Sequence, residues 1–386
     1  MTMAEGFKAN PDHIAGYGLL VHDAGMDLSS VASYANQAAR ADDGFSGLMS
    51  LLRAPVDAYA YATYNRLYPK HLLLTRSADS LNTAAWMYTT ADVNAYTTYN
   101  QTLDGQTQAQ VKDFPNPVAY PPADDPVAGL KAPEPENADI RAILDEIGGS
   151  INIIDDAVYF FTNWSPVSAL VEPMSGNWTR LERAGEVLKQ VGDGAEKVAG
   201  NLTGGLSTLD PNWNGGSAQE FNGYITKLAK GIDMEGPLNR IVAGVYKLVA
   251  QQVEKVATWM VEVLKKAVDK ILQAASTSWI PGYGWVKIID AVKTAIDVFI
   301  EAKALIEELD KVIGAVQQVV DLAKDPIGFL EGKAEEKLAP YKEKIEQAQA
   351  GYDVAKDLAE LSDTKVWGES PTGTYEVGAD PKRAGA

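Results

Sequence analysis

The chain has 386 residues and a formal net charge of −18 at pH 7, with 46% apolar and 22% charged residues. At about 100 to 200 residues per domain this length accommodates two or three compact units. The acidic balance argues against DNA or RNA as a partner, because affinity for phosphate backbones comes from lysine and arginine displacing counterions. The lack of cysteine removes disulfide frameworks, thiolate metal sites and thiol nucleophiles together.

The opening run MTMAEGFKANPDHIAGYG carries acidic residues and no apolar h-region, so neither a general secretory nor a twin-arginine signal peptide is expected. No uninterrupted apolar stretch reaches the roughly 18 residues that a conventional membrane-spanning helix requires. His13, His22 and His71 include no pair at the three- or four-residue spacing that shares a helix face, and no metal or cofactor is expected.

Three- and four-residue apolar periodicity runs through the chain and strand-like alternation does not, which predicts an all-α protein. Residues 12–102 read as a helical hairpin rich in Ala, Tyr and Leu, broken at Asp42-Asp43-Gly44-Phe45-Ser46-Gly47. Residues 103–137 contain Pro115, Pro117, Pro121, Pro122, Pro126, Pro133 and Pro135 among acidic and small residues, a composition for an extended linker.

Residues 138–326 read as a helical bundle. Ile140, Ile143, Leu144, Ile147, Ile151, Ile154, Val158 and Phe161 mark one amphipathic helix, ended by Trp164-Ser165-Pro166. A second run spans Trp178 to Leu202, and a third spans Phe221 to Ile232. Two long stripes follow, Leu238 to Leu272 and Ile289 to Val320, joined at Ser278–Trp285. A short connection makes them an antiparallel hairpin. Residues 327–362 are charged helical segments, and residues 363–386, rich in Gly, Pro and Thr, are expected to form a flexible tail.

Two short motifs stand out. In Trp213-Asn214-Gly215, Gly215 allows positive φ between two helices, Ser217 is positioned to cap the second, and Trp213 can lie across the open end of the hairpin. The bland alternative is an ordinary helix corner with a packed Trp. In Tyr88-Thr89-Thr90-Ala91-Asp92, a continuous helix would put Tyr88 and Asp92 on one face, where a receptor groove could bury the ring and pair the carboxylate. Its bland alternative is a surface Tyr and an unpartnered Asp.

The run from Val187 to Phe221 around Trp213 and Gly215 resembles the central hairpin of the WXG superfamily, which includes the substrates of the actinobacterial type VII (ESX) secretion system and the PPE proteins. The Tyr88/Asp92 element resembles the Y-x-x-x-D/E secretion signal of that system. That signal sits at the C-terminal end of one hairpin and works beside a W-x-G turn from a second. The order here looks like that of single-chain substrates with a PE-like module fused to a PPE-like one, although the Pro-Glu and Pro-Pro-Glu signatures of PE and PPE proteins are missing. The resemblance implies a non-enzymatic protein, secreted or associated with the cell envelope, exported folded by the ESX machinery through a composite signal of Tyr88, Asp92, Trp213 and Gly215.

The aromatic tip of Trp279, Ile280, Tyr283 and Trp285 suits a membrane surface or a partner's groove, since such rings combine an apolar body with a polar edge. By resemblance to PPE-like proteins this tip is where a cytoplasmic chaperone would dock; the alternative is that it folds back into the core. A homo-oligomer is a further expected partner. No G-x-S-x-G, phosphate loop, H-E-x-x-H or EF-hand spacing occurs, and no catalytic residue is assigned. Two other readings stay open: a helical pore-forming or membrane-active effector, and the delivery region of a polymorphic toxin. The second is disfavoured by the short stretch that follows residue 362.

Overall fold

The computed structural model describes residues 8–89, 111–136 and 171–276, and parts of the stretches 140–168, 290–327 and 339–376. The chain is all-helical: among the described residues there is no strand, only one isolated antiparallel bridge between Ala9 and Trp213.

Helix α1 (Pro11–Ala38) starts where the Asn10 side chain accepts a hydrogen bond from the Asp12 amide at 3.2 Å. Pro11 takes the first helical position, where its missing N–H has no helical partner to lose. The break expected at Asp42–Gly47 is the turn into α2 (Ser50–Tyr88), whose 39 residues span roughly 58 Å. Three more helices follow: α3 (Thr179–Leu209), α4 (Gly216–Asp233) and the 42-residue α5 (Glu235–Ser276).

These five helices form one bundle. α1 lies antiparallel to α3: the Tyr17 hydroxyl donates to Leu202 O at 2.8 Å, Tyr34 to Gln190 Oε1 at 2.7 Å, and Arg183 to Ala38 O at 2.9 Å. α2 runs antiparallel to α4 and the start of α5, with Ser77 against Tyr224, Lys70 against Gly231, and Tyr59 against Asn239. The two halves of the sequence therefore pack side by side. Leu28 of α1, Leu67 and Leu74 of α2, Leu188 and Val191 of α3, and Leu228 and Ile241 beyond them are all buried. Burying each such side chain contributes about 1.5 to 3 kcal/mol.

A polar seam sets the register between α2 and α5. Glu235, with no exposed side-chain surface, accepts from Arg66 Nε at 2.8 Å and Nη2 at 2.9 Å. Asn239 Nδ2 donates to Glu235 O at 2.8 Å and its Oδ1 accepts from the Tyr59 hydroxyl at 3.2 Å. A buried bidentate pair of this kind leaves an uncompensated charge if the helices slip by a turn, so it specifies register. The paired carboxylate holds the Arg66 guanidinium firmly protonated against the burial that opposes its charge. Lys70, a turn further along α2, donates to Gly231 O at 2.5 Å, and burial lowers its ammonium to about 8.

The described part of the proline-rich segment, residues 111–136, forms no helix, turns at Val127–Leu130 and is not a free spacer. It lies along α1 and α3. Val118 N donates to Asp12 O at 2.9 Å, and two side-chain amides of α3 hold the segment's backbone at two further points. Asn201 bonds Asp124 N and O at 3.0 and 2.8 Å, and Gln190 bonds Lys131 N and O, both at 3.0 Å. Amides with one donor and one acceptor satisfy an extended backbone that no helix or sheet satisfies.

The run beginning at Ile140 is helical at its described positions and closes at Asn163, which adopts φ 55°, one residue before the predicted Trp164-Ser165-Pro166 stop. The described positions between 290 and 320 are helical, with Ala302, Leu309, Ile313 and Val320 buried. Beyond them come α6 (Lys342–Ala348) and α7 (Val354–Leu361), which both pack on α5. Arg240 of α5 holds α7 through Asp357 at 3.0 Å and reaches Glu196 of α3 at 2.7 Å. Residues 364–376, expected within a flexible tail, instead form α8 (Thr364–Glu369) and an extended strap that ends with Tyr375 buried between α2 and α4. Trp367 and Tyr375 supply the apolar surface that a Gly, Pro and Thr count overlooks. No described helix is long and apolar enough to cross a membrane.

Candidate recognition site at the end of the bundle

α2 ends at Tyr88. Thr89 leaves the helix with ψ 122°, and its amide and hydroxyl turn back to Trp86 O and Ala85 O. At the same end α3 passes through a short 3-10 turn, Asp210–Asn212, into Trp213, which is extended at φ −145° and ψ 117°. Gly215 then adopts φ 106° and ψ −175°, a region essentially closed to residues with a Cβ, and starts α4. The requirement for glycine here is conformational. Ser217 is not the cap: Gly215 occupies that position and no side-chain cap bond is made.

The two motifs meet. The Trp213 indole N–H donates to the Tyr88 hydroxyl at 3.2 Å, and the rings pack edge to face with centroids 6.3 Å apart. Trp213 is 2% exposed, so this turn residue is part of the core. It leans on Phe221 at 5.6 Å, and Phe221 meets Tyr17 at 5.9 Å and Tyr375 at 5.0 Å. Rings at 4.5 to 7 Å in tilted or edge-on arrangements contribute roughly 0.5 to 1.5 kcal/mol per pair beyond their burial. Desolvation pushes the Tyr375 phenol above its ordinary value, with Tyr88 nearby adding to the shift, and burial does the same to Tyr17.

The W-x-G turn is also covered from the N-terminal side. Lys8 N donates to Asn214 Oδ1 at 2.6 Å, Asn214 N to Lys8 O at 2.9 Å, and Asn10 N to Asn212 O at 2.9 Å. These bonds fasten the residues before α1 to the turn between α3 and α4. At this end Tyr88 is half-buried and Asn214 and Gly215 are partly exposed, bordered by exposed Asp210, Gln219 and Glu220. The turn thus presents an aromatic edge within an acidic and amide rim.

The four-residue spacing to Asp92 is not continued as helix through Thr89, and Asp92 itself lies outside the described residues. So do Trp279, Ile280, Tyr283 and Trp285. Among the described residues no group of His, Asp and Glu is arranged to hold a metal ion. His13 Nδ1 lies 2.9 Å from the Tyr120 hydroxyl and His71 Nδ1 lies 3.0 Å from Gly25 O, both structural contacts.

Sequence reasoning missed Tyr375 and the Lys8–Asn10 bridge. Neither carries a periodic signal. A lone tyrosine in a Gly- and Pro-rich tract was the one available clue.

No protein-family model matches the chain, and neither the curated proteins nor the solved structures yield a match.

Proposed function

We propose that the protein is a non-enzymatic substrate of a type VII (ESX) secretion system, exported folded, with Tyr88, Asp92, Trp213 and Gly215 forming one composite signal in cis. The observation that carries this reading is the contact between Trp213 Nε1 and the Tyr88 hydroxyl at 3.2 Å. In the secretion system that the sequence resembles, a tyrosine element and a W-x-G turn act side by side, and in heterodimeric substrates they come from two chains. Here a single bundle juxtaposes them. The polar seam between α2 and α5 and the clamped segment 111–136 keep the two modules in that register without a partner. Asp92 and the tip residues Trp279, Ile280, Tyr283 and Trp285 enter on the resemblance alone, as does a chaperone at the tip.

The route is tested by expressing the tagged protein in an actinobacterial host with an intact ESX apparatus and in the same host lacking its core ATPase. Accumulation in the medium only in the intact host supports the reading. Equal release from both hosts refutes it.

A further inference from the structure

The α2–α4 groove holds the short helix α8 and the extended strap that follows it. Trp367 lies over Lys70, with the ammonium 5.5 Å from the ring centroid. Ser370 sits on Gly231, where a Cβ would come within 2.5 Å of its Oγ and 2.9 Å of its own Cβ. Tyr375 enters an aromatic box of Phe221 at 5.0 Å and Tyr224 at 5.8 Å, donates to Ser217 O at 3.2 Å, and accepts on its carbonyl from Ser80 Oγ at 2.8 Å. The lengths agree. Five extended residues from Ser370 to Tyr375 reach roughly 17 Å, enough to cover the roughly 15 Å that separates Gly231 from Phe221 along a helix.

The hold of the chain's own strap on this groove is incomplete. Trp367 Nε1 and Ser370 Oγ are buried without a hydrogen-bond partner among the described residues, and the Lys227–Glu369 ion pair at 3.4 Å is exposed on both sides and so contributes little. The contacts are side-chain anchors with one backbone acceptor, a pattern that any copy of the same peptide reproduces. Tethering gives the resident strap an effective concentration in the millimolar range, which keeps it in place in an isolated chain.

We infer that the α2–α4 groove is a peptide-docking site whose partner is residues 364–376 of a second copy of the chain, taken up in trans when the resident strap is released. The chemistry selects this occupant: a Trp over the Lys70 cation, a small residue over Gly231, and a Tyr in the Phe221–Tyr224 box. This inference does not depend on the secretion reading.

The absence of cysteine and the position of Lys70 beneath Trp367 make the test direct. One full-length variant, Gly231→Ala, blocks the groove at Ser370 while leaving the strap intact. A second, Trp367→Ala with Tyr375→Ala, weakens the strap while leaving the groove open. Acylation of the Lys70 amine at pH 8 reads whether the groove is covered. In the double variant Lys70 should react about tenfold faster than in the native chain. Adding either the Gly231→Ala chain or excess synthetic peptide 364–376 should restore the slow rate, and sedimentation should show a one-to-one heterodimer of the two variants. A Lys70 that stays reactive in the presence of both partners overturns the inference.

Discussion

The indole nitrogen of Trp213 and the hydroxyl of Tyr88 lie 3.2 Å apart although 125 residues separate them in the chain. The contact links the last turn of a helix in module one to the W-x-G corner of module two. It exists because α2 runs antiparallel to α4 and α5 in a register set by Arg66 and Glu235.

The burial of Trp213 gives it a structural weight that its place in a turn conceals. Trp213→Ala should cost about 3 to 5 kcal/mol, the range for removing a large buried aromatic. Trp213→Phe keeps most of the ring contact and loses the bond to Tyr88, and should cost about 1 to 2 kcal/mol. Urea unfolding followed by circular dichroism checks both. Consequently a failure of Trp213→Ala to be exported is ambiguous between misfolding and signal loss.

Removing one partner of the buried pair is more damaging than removing both. Glu235→Ala should destabilise by about 3 to 5 kcal/mol because the buried Arg66 guanidinium loses its carboxylate, whereas Arg66→Met with Glu235→Leu should recover most of that loss. A double-mutant cycle in urea measures the coupling. Equal destabilisation by the single and double substitutions would contradict the register role.

The pH response follows from carboxyls whose protonated form the fold favours. Burial raises Asp27, Glu182, Glu196 and Asp233 above their ordinary values, with neighbouring acids adding to the shift in each case. A raised folded-state value means that the native chain binds protons before the unfolded chain does. Stability therefore increases as pH falls through those raised values and stops increasing at the unfolded ones. The melting temperature should rise as pH is lowered from neutral toward the ordinary carboxylate range of about 4. A steady fall across that window would show that other carboxylates, held charged in the fold, dominate.

The docked proline-rich segment should be releasable without unfolding the bundle. Asn201→Ala removes both amide bonds to Asp124 and should cost about 1 to 2 kcal/mol, while raising the rate of proteolysis within residues 111–136 severalfold relative to the native chain. Limited proteolysis read by mass spectrometry gives the cut sites. Unchanged cutting would mean that the clamps at Gln190 and Val118 suffice.

Much of the fold was legible because helices announce themselves locally. The stripe from Leu238 to Leu272 became α5, the break at Asp42–Gly47 became a turn, and Trp213-Asn214-Gly215 became the corner between α3 and α4, with Gly215 at the positive φ that the motif implied. The meeting of Tyr88 with Trp213 was expected only if the modules packed together, and that depends on buried polar partners such as Arg66 and Glu235. No periodic pattern marks such pairs, since a charged residue at a helix position reads as solvent-facing. The strap was missed for the opposite reason: its hold rests on two anchors, Trp367 and Tyr375, within a composition typical of loops.

The most direct test of the central claim is export of the full-length double variant Tyr88→Ala, Asp92→Ala beside the native chain and Tyr88→Phe in a host with an intact ESX apparatus. Cytoplasmic protein from each strain is checked for helical content and melting. The account predicts that Tyr88→Phe is secreted at a reduced level, because the ring stays and the acceptor for Trp213 is lost, and that the double variant stays in the cytoplasm while still folded. Secretion of the folded double variant at the native level would contradict a composite signal in cis.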